Sequence, residues 1–324
     1  MSAAPGRLPG WLSAPSRCLV QRLAVASLVA NIAIVVTGGA VRLTGSGLGC
    51  PEWPRCSASS FVAERSLGVH GAIEFGNRLF TLVLALVAVA TFAVVWRYRP
   101  ARRSWRLLAG LLLLGIPAQA LLGGVTVLTG LNPWFVALHL LLSMALIGVA
   151  VALVLFVGRD GQPVSPPVGR APVLLVRLTF AAAWLVLYAG TVVTGSGPHA
   201  GDRAAPRTGL DPAAVSQLHA NLVFLLIGLT AGSLFALRAA GAARAARAAS
   251  WLLGIELAQG VVGFVQYFTD LPVLLVGLHL LGAALVSACA TWLLLSVPAS
   301  GVRNQPAEVL RQPEVLGEVA PERE

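Results

Sequence analysis

Three histidines, His139, His219 and His279, lie inside runs that are otherwise almost wholly apolar. An imidazole is costly in such a setting unless it has a partner or a task. His139 falls about five residues into the fourth apolar run, His219 about six into the sixth and His279 about seven into the eighth. At ~1.5 Å per helical residue, all three stand within roughly 10 Å of the same boundary. Matched depth is what two imidazoles need to clamp one metal from opposite sides. A lone histidine in such a helix more often serves as hydrogen-bonding glue, but His219 and His279 come from different helices of one half of the chain, and His139 repeats the position in the other. Two neutral imidazoles without a neighbouring Cys or carboxylate cluster suit heme iron better than zinc, and four-helix bundles commonly hold cofactors between facing helices. The expectation is a heme ligated by His219 and His279.

The first half differs. Its second apolar run carries His70, Glu74, Asn77 and Arg78, whose spacing puts them along one helical face. Glu74 and Arg78, four residues apart, could simply neutralise each other. A salt bridge in lipid still needs a reason, since two apolar residues would cost less there. Glu74 is therefore the best acid-base candidate, and Arg42 and Arg78 are candidates to meet heme propionates. His199, beside Pro198 and Gly201 in a polar loop, reads as a solvated surface histidine.

The elements that must position these groups follow from composition. With 57% hydrophobic and 11% charged residues, the chain has too little polar surface to cover a water-soluble globule of its size. Runs long enough to span a bilayer recur at 19–41, 67–96, 107–128, 135–157, 173–194, 214–237, 250–269 and 273–297. The first is too long for a secretory signal and lacks a small-residue cleavage site, so it reads as a retained helix. All 23 basic residues are arginine. They concentrate in one set of loops, at Arg97 to Arg106, Arg159 to Arg177 and Arg238 to Arg247, and are sparse in the other. By the positive-inside rule the first set is cytoplasmic, which puts both termini in the cytoplasm of a multi-pass cell-membrane protein. The net charge of +10 is then a topology signal and gives little support for nucleic-acid binding.

Cys50 and Cys56 fall in the first extracytoplasmic loop, where a disulfide is permitted. A structural bridge is the commoner meaning of such a pair, and a redox-active dithiol the functional alternative. Cys18 and Cys289 read as small apolar fillers.

An internal repeat organises the whole. Gln119-Ala120-Leu121-Leu122-Gly123 is echoed by Gln259-Gly260-Val261-Val262-Gly263, and Thr129, Leu131 and His139 by Thr269, Leu271 and His279, all at one common offset. Thr44-Gly45-Ser46-Gly47 is echoed by Thr194-Gly195-Ser196-Gly197 at a slightly longer one, the difference being loop length. The expected fold is all-α: eight transmembrane helices as two tandem four-helix bundles in parallel repeat. Residues 1–160 form the first half, 161–172 a cytoplasmic linker, 173–297 the second half, and 298–324 a disordered cytoplasmic tail. The repeated glycines suit close helix packing.

The stretch Gly38-Gly39-Ala40-Val41-Arg42-Leu43-Thr44-Gly45-Ser46-Gly47-Leu48-Gly49-Cys50-Pro51-Glu52-Trp53-Pro54-Arg55-Cys56 resembles the first-loop signature of heme A synthases. The family pattern on the second helix, a Glu followed three residues later by His and then Arg, is met by Glu74, Asn77 and Arg78, so the His is missing. His139, His219 and His279 match the other family histidines. The resemblance covers essentially 20–297 and is closest to the actinobacterial members. It implies oxidation of the C8 methyl of heme O to a formyl group, giving heme A for a terminal oxidase. It also implies a heme b in the second half and substrate heme in the first, with Glu74 near the methyl group as a proton acceptor. Heme O synthase and an electron donor are the implied partners, and self-association is left open. Asn is a poor iron ligand, so substrate heme is expected on His139 alone, with His70 the rival second ligand. The alternative is a di-heme membrane cytochrome that only transfers electrons, but such a protein needs no acid residue beside an incomplete ligand set. A transporter built from parallel repeats would instead show broken helices at midplane, whereas the intramembrane polar groups here are expected to cluster near the outer face.

Overall fold

A computed structural model describes residues 15–160 and 168–297. Among them are eight long α-helices and no strand: α1 Arg17–Leu43, α2 Gly68–Arg97, α3 Arg103–Leu128, α4 Pro133–Arg159, α5 Arg170–Ser196, α6 Pro212–Ala239, α7 Ala243–Phe268 and α8 Val273–Leu294. A short 3-10 turn, Arg65–Leu67, leads into α2. All eight are long and apolar enough to cross a membrane, and the chain is a multi-pass membrane protein. Most helices outrun the apolar runs that announce them, because a lipid-spanning helix continues through its Arg-bearing turns into the headgroup region. The largest difference is at α7, which begins at Ala243 and not at 250, through an Ala- and Arg-rich turn that favours helix without being apolar. Arg170 to Pro172, expected in the linker, form the first turn of α5. Val168 and Gly169 lead into that turn, and residues 161–167 of the linker and the tail 298–324 lie outside the described residues.

Helix starts carry the expected chemistry. Ser16 Oγ accepts from Leu19 N–H at 3.2 Å, Asn132 Oδ1 from Trp134 N–H at 3.0 Å, and Asp211 caps α6 through Ala213 and Ala214. Pro133 and Pro212 sit at first helical positions, where no backbone donor is lost.

Helices α1 to α4 pack in a ring, each against its two neighbours, and α5 to α8 do the same. Diagonal helices in each ring keep their backbones apart. The rings meet through α4 on α8, α1 on α8 and α4 on α5, the pattern a two-fold axis along the bundle would generate. Between them lies a small core of Val35, Met144, Ile147, Leu187 and Ala284. Gly39 of α1 lets Leu280 of α8 approach so closely that a Cβ would collide with its Cδ2.

The two short turns α3–α4 and α7–α8 share one backbone. Gly130 and Leu131 have φ of 61° and 63°, Asp270 and Leu271 of 57° and 55°. Leu131 N–H donates to Thr126 O at 2.7 Å, and Leu271 N–H to Gln266 O at 2.8 Å. Left-handed leucines are costly, and the same cost recurs at the matching place in each half, as a tandem repeat requires.

The largest hydrophobic clusters fill the arginine-rich end of each ring. One gathers Val20, Val95, Trp105, Leu112 and Leu153, and the other Val176, Leu237, Leu252 and Leu293. The opposite end carries the longer loops, and there the histidines stand.

Candidate functional site

In the second ring, α6 and α8 are diagonal, and each turns one imidazole inward near the loop-rich end. His219 is seven residues from the start of α6 and His279 six from the start of α8. Their ring centroids are 6.5 Å apart and the rings are inclined at 73°. With a metal–imidazole bond of about 2 Å and about 1 Å more from nitrogen to ring centre, a single metal between two imidazoles needs a centroid separation of about 6 Å. The buried Nδ1 of His279 has no hydrogen-bond partner, a costly state for a polar atom in a membrane bundle, and that of His219 has only the Val186 carbonyl at marginal geometry. The separation and the unspent polar capacity fit a heme held between two histidines. Among the described residues no group of three His, Cys, Asp or Glu converges as a metal site, so the donor set at this place is the two imidazoles.

Each ring is seated on a glycine of the next helix. A Cβ at Gly190 of α5 would lie 3.3 Å from His219 Cε1, and one at Gly263 of α7 would lie 3.5 Å from His279 Cε1. Gln259 Nε2 donates to the carbonyl of His279 at 2.7 Å. The first ring reproduces this around His139, six residues into α4. A Cβ at Gly123 would lie 3.2 Å from its Cε1. Gln119 Nε2 donates to the His139 carbonyl at 3.3 Å and to Ser143 Oγ at 2.6 Å, and His139 Nδ1 is likewise buried without a partner. The repeated Gln-x-x-x-Gly sequence is thus packing of a particular kind: the glycine admits the imidazole and the glutamine holds the turn that bears it.

Opposite His139 the rings diverge. The position on α2 that corresponds to His219 is Asn77, and the offset that joins them also joins Thr91 to Ser233. Those last two residues make equivalent bonds: Ser27 Oγ meets Thr91 Oγ1 at 2.9 Å, and Thr179 Oγ1 meets Ser233 Oγ at 2.9 Å. Asn77 packs by Gly38 as His219 packs on Gly190, and Asn77 Oδ1 accepts from Thr37 Oγ1 at 2.8 Å. On α1 and α5 the packing matches, Ser27 with Thr179 and Gly38 with Gly190, are spaced slightly wider than the Thr44/Thr194 echo. That echo therefore marks the helix ends and not the packing register.

Glu74 is buried, 5% exposed, and six residues into α2. Its Oε1 takes the Arg78 guanidinium at 2.6 Å and its Oε2 accepts from Cys50 N–H at 2.6 Å. Arg78 also donates to the carbonyls of Cys50, Glu52 and Arg55 at 2.9–3.2 Å. Cys50 and Cys56 form a disulfide and are fully buried. The ion pair on α2 is therefore the clamp of the disulfide loop, and the Arg78 donors that a propionate would use are engaged by that loop. Arg42 is engaged as well: its Nε donates to His199 O, and its Nη2 to Thr194 O at 2.9 Å. His70 is exposed at the start of α2, with Nδ1 on Ser46 Oγ at 2.9 Å. The expectation of a solvated His199 is overturned. It is half-buried, and its Nε2 meets the carbonyl of Leu271 at 2.9 Å, because the loop after α5 folds inward onto the ends of α1 and α7.

Two features escaped the sequence reading. Glu256, in the middle of α7 and 2% exposed, accepts from Thr230 Oγ1 at 2.8 Å through Oε1, while its buried Oε2 has no partner. With the Ser27–Thr91 and Thr179–Ser233 pairs it shows that buried polar groups reach midplane and do not cluster only near the loops. The sole signal was one Glu in an apolar run. The other feature is Trp53, whose indole reaches Gly124 of α3 so closely that a Cβ there would collide with its Cδ2.

A family model described as cytochrome oxidase assembly protein matches residues 21–201, from α1 through the disulfide loop, Glu74 and His139 to the end of α5. The heme A synthase of Lysinibacillus sphaericus is 32% identical over 174 residues, covering 52% of this chain and 56% of that protein. The heme A synthase of Methylorubrum populi is 31% identical over 228 residues, 58% of each chain, and that of Bacillus pumilus 27% identical over 181 residues, 54% of this chain and 58% of its own. The matches thus span somewhat over half the length of these relatives. Because the matched region is more than half of this sequence and contains the clamped loop and the His139 seat, the chain belongs to the COX15-CtaA family of cytochrome oxidase assembly proteins.

Proposed function

We propose that this protein is a heme A synthase, an oxidoreductase that converts the C8 methyl of heme O to a formyl group. The observation that carries the reading is the unequal pair of sites. Two imidazoles with ring centroids 6.5 Å apart stand in the second ring; the first has one imidazole, and the position matching its partner is Asn77. A protein that only relays electrons would gain from two alike sites, whereas an enzyme needs one permanent cofactor and one site that lets its tetrapyrrole go. His219 and His279 would hold a heme b, which supplies one-electron redox chemistry when bound. His139 would hold the substrate, with Asn77 too weak a ligand to close the other side.

Glu74 is the carboxyl group of the first ring at the depth of His139. Its role here is to take protons released at the substrate methyl, oriented by Arg78 and by Cys50 N–H. The names of the three relatives support the substrate class. Charge placement supports a cell-membrane orientation with the loop-rich end outside and both termini in the cytoplasm. Residues 1–160 would then be the substrate half and 173–297 the heme b half, with heme O synthase supplying the substrate. Two successive hydroxylations of the methyl, each consuming one dioxygen, two protons and two electrons from a separate donor and releasing one water, would give a gem-diol that loses water to the formyl group.

The deciding experiment is pigment extraction from the purified protein. Heme B together with heme O or heme A is the expected result. Heme B alone at two per chain, with no conversion of heme O in membranes, would favour the electron-transfer cytochrome.

A further inference from the structure

The loop between α1 and α2 does not stay above the helices it joins. In the first ring α3 is diagonal to α1, where the loop begins, yet Trp53 in this loop lies against Gly124 of α3. Gly124 is four residues before the end of α3 at Leu128, so the indole sits about 6 Å below the rim. The loop, clamped on α2, thus sends one large side chain across to the neighbouring α3, below its rim. Gly124 admits the indole, since a Cβ there would collide with Cδ2 and Cε2. The preceding residue, Gly123, seats the imidazole of His139. One pair of glycines thus carries both the indole and the candidate ligand.

The loop is held firmly around this residue. The Cys50–Cys56 bridge closes it on both sides of Trp53. Glu74 and Arg78 bind the backbone at Cys50, Glu52 and Arg55. In the second ring the residue matching Gly124, next after Gly263, is Phe264, which is 54% exposed and stacked on Phe268. The indole seat is a property of the first ring alone.

We propose that Trp53 is a substrate-contacting residue: its indole walls the pocket beside His139 and seals it from the loop-rich end. A planar tetrapyrrole on His139 lies against this indole and leaves toward the water only when the loop lifts. This rests on the first ring being the substrate site. Aromatic side chains suit the task, since a flat π-face packs on a flat conjugated ring with little loss of rotamer freedom.

The test uses the full-length protein in nanodiscs loaded with hemin, and follows hemin transfer to excess apomyoglobin. Trp53→Ala removes the seal, and Gly124→Val evicts the indole from the other side. Each is expected to speed transfer of the His139-dependent hemin by about tenfold, with Trp53→Phe in between. The low-spin spectrum of the His219/His279 heme serves as the control for folding and stays unchanged. Equal transfer rates in wild type, Trp53→Ala and Gly124→Val would overturn the seal while leaving the substrate site standing. Failure of the wild type to take a second, His139-dependent hemin would overturn the substrate site, and the role of Trp53 with it.

Discussion

The two rings are built alike and finished differently. Both seat an imidazole on a glycine of the neighbouring helix, hold its carbonyl with a glutamine, and turn through a left-handed leucine. The second adds a facing histidine; the first has Asn77, a buried ion pair and a tryptophan-bearing loop braced by a disulfide. On the proposed function, a duplicated scaffold would support permanent retention on one side and exchange on the other, with very few side chains deciding which.

The most severe way to break that contrast is to remove a ligand from the retentive side. His219→Ala or His279→Ala should abolish the low-spin six-coordinate signal, read by visible absorption and electron paramagnetic resonance of the purified protein. An unchanged signal in both would end the assignment. His139→Ala should instead abolish heme A formation and leave that signal in place, as pyridine hemochrome analysis and chromatography of extracted pigment would show. His70→Ala should be milder, because His70 is exposed and engaged by Ser46.

Glu74→Gln keeps an acceptor for Cys50 N–H but removes proton uptake. Turnover of heme O should fall by about a hundredfold or more while bound heme is retained; normal turnover would show that the carboxylate only clamps the loop. Asn77→His sharpens the comparison by making the rings alike. The first ring should then give a second six-coordinate low-spin heme, and hemin transfer from it should slow. The smallest expected effect is that of Cys50→Ser with Cys56→Ser. Opening so short a loop should cost about 2 kcal/mol, visible as faster proteolysis between α1 and α2. Heme A formation should persist, and its complete loss in a folded double variant would make the cysteines part of the chemistry.

Much of this was legible before any coordinates. Eight spans could be placed because lipid demands long apolar runs, and a single shared offset tied Gln119, Gly123 and His139 to Gln259, Gly263 and His279. The Cys50–Cys56 bridge followed from its loop. What stayed hidden was who touches whom. By sequence Arg42 is a candidate to meet a heme propionate, yet its donors turn to the carbonyls of His199 and Thr194. No pattern in α1 could announce that, since the partners are backbone atoms in the other half of the chain. Trp53 gave no sign of reaching α3, because loop sequences carry no periodicity from which direction can be read. Glu256 was invisible for another reason: one carboxyl in an apolar run looks alike whether it faces lipid, water or Thr230.

The reach of Arg42 into the second ring also bears on biosynthesis. Its helix leaves the ribosome well before Thr194 and His199, which emerge only after α2 to α4 and nearly all of α5 have been made. Until then the guanidinium must keep other company, such as lipid phosphate or water at the translocon. The first ring therefore reaches its final form only when the loop after α5 arrives. Expressed alone, residues 1–160 would lack that closing contact, so truncation of the gene, and not only of the protein, should leave the mouth of the first ring poorly set.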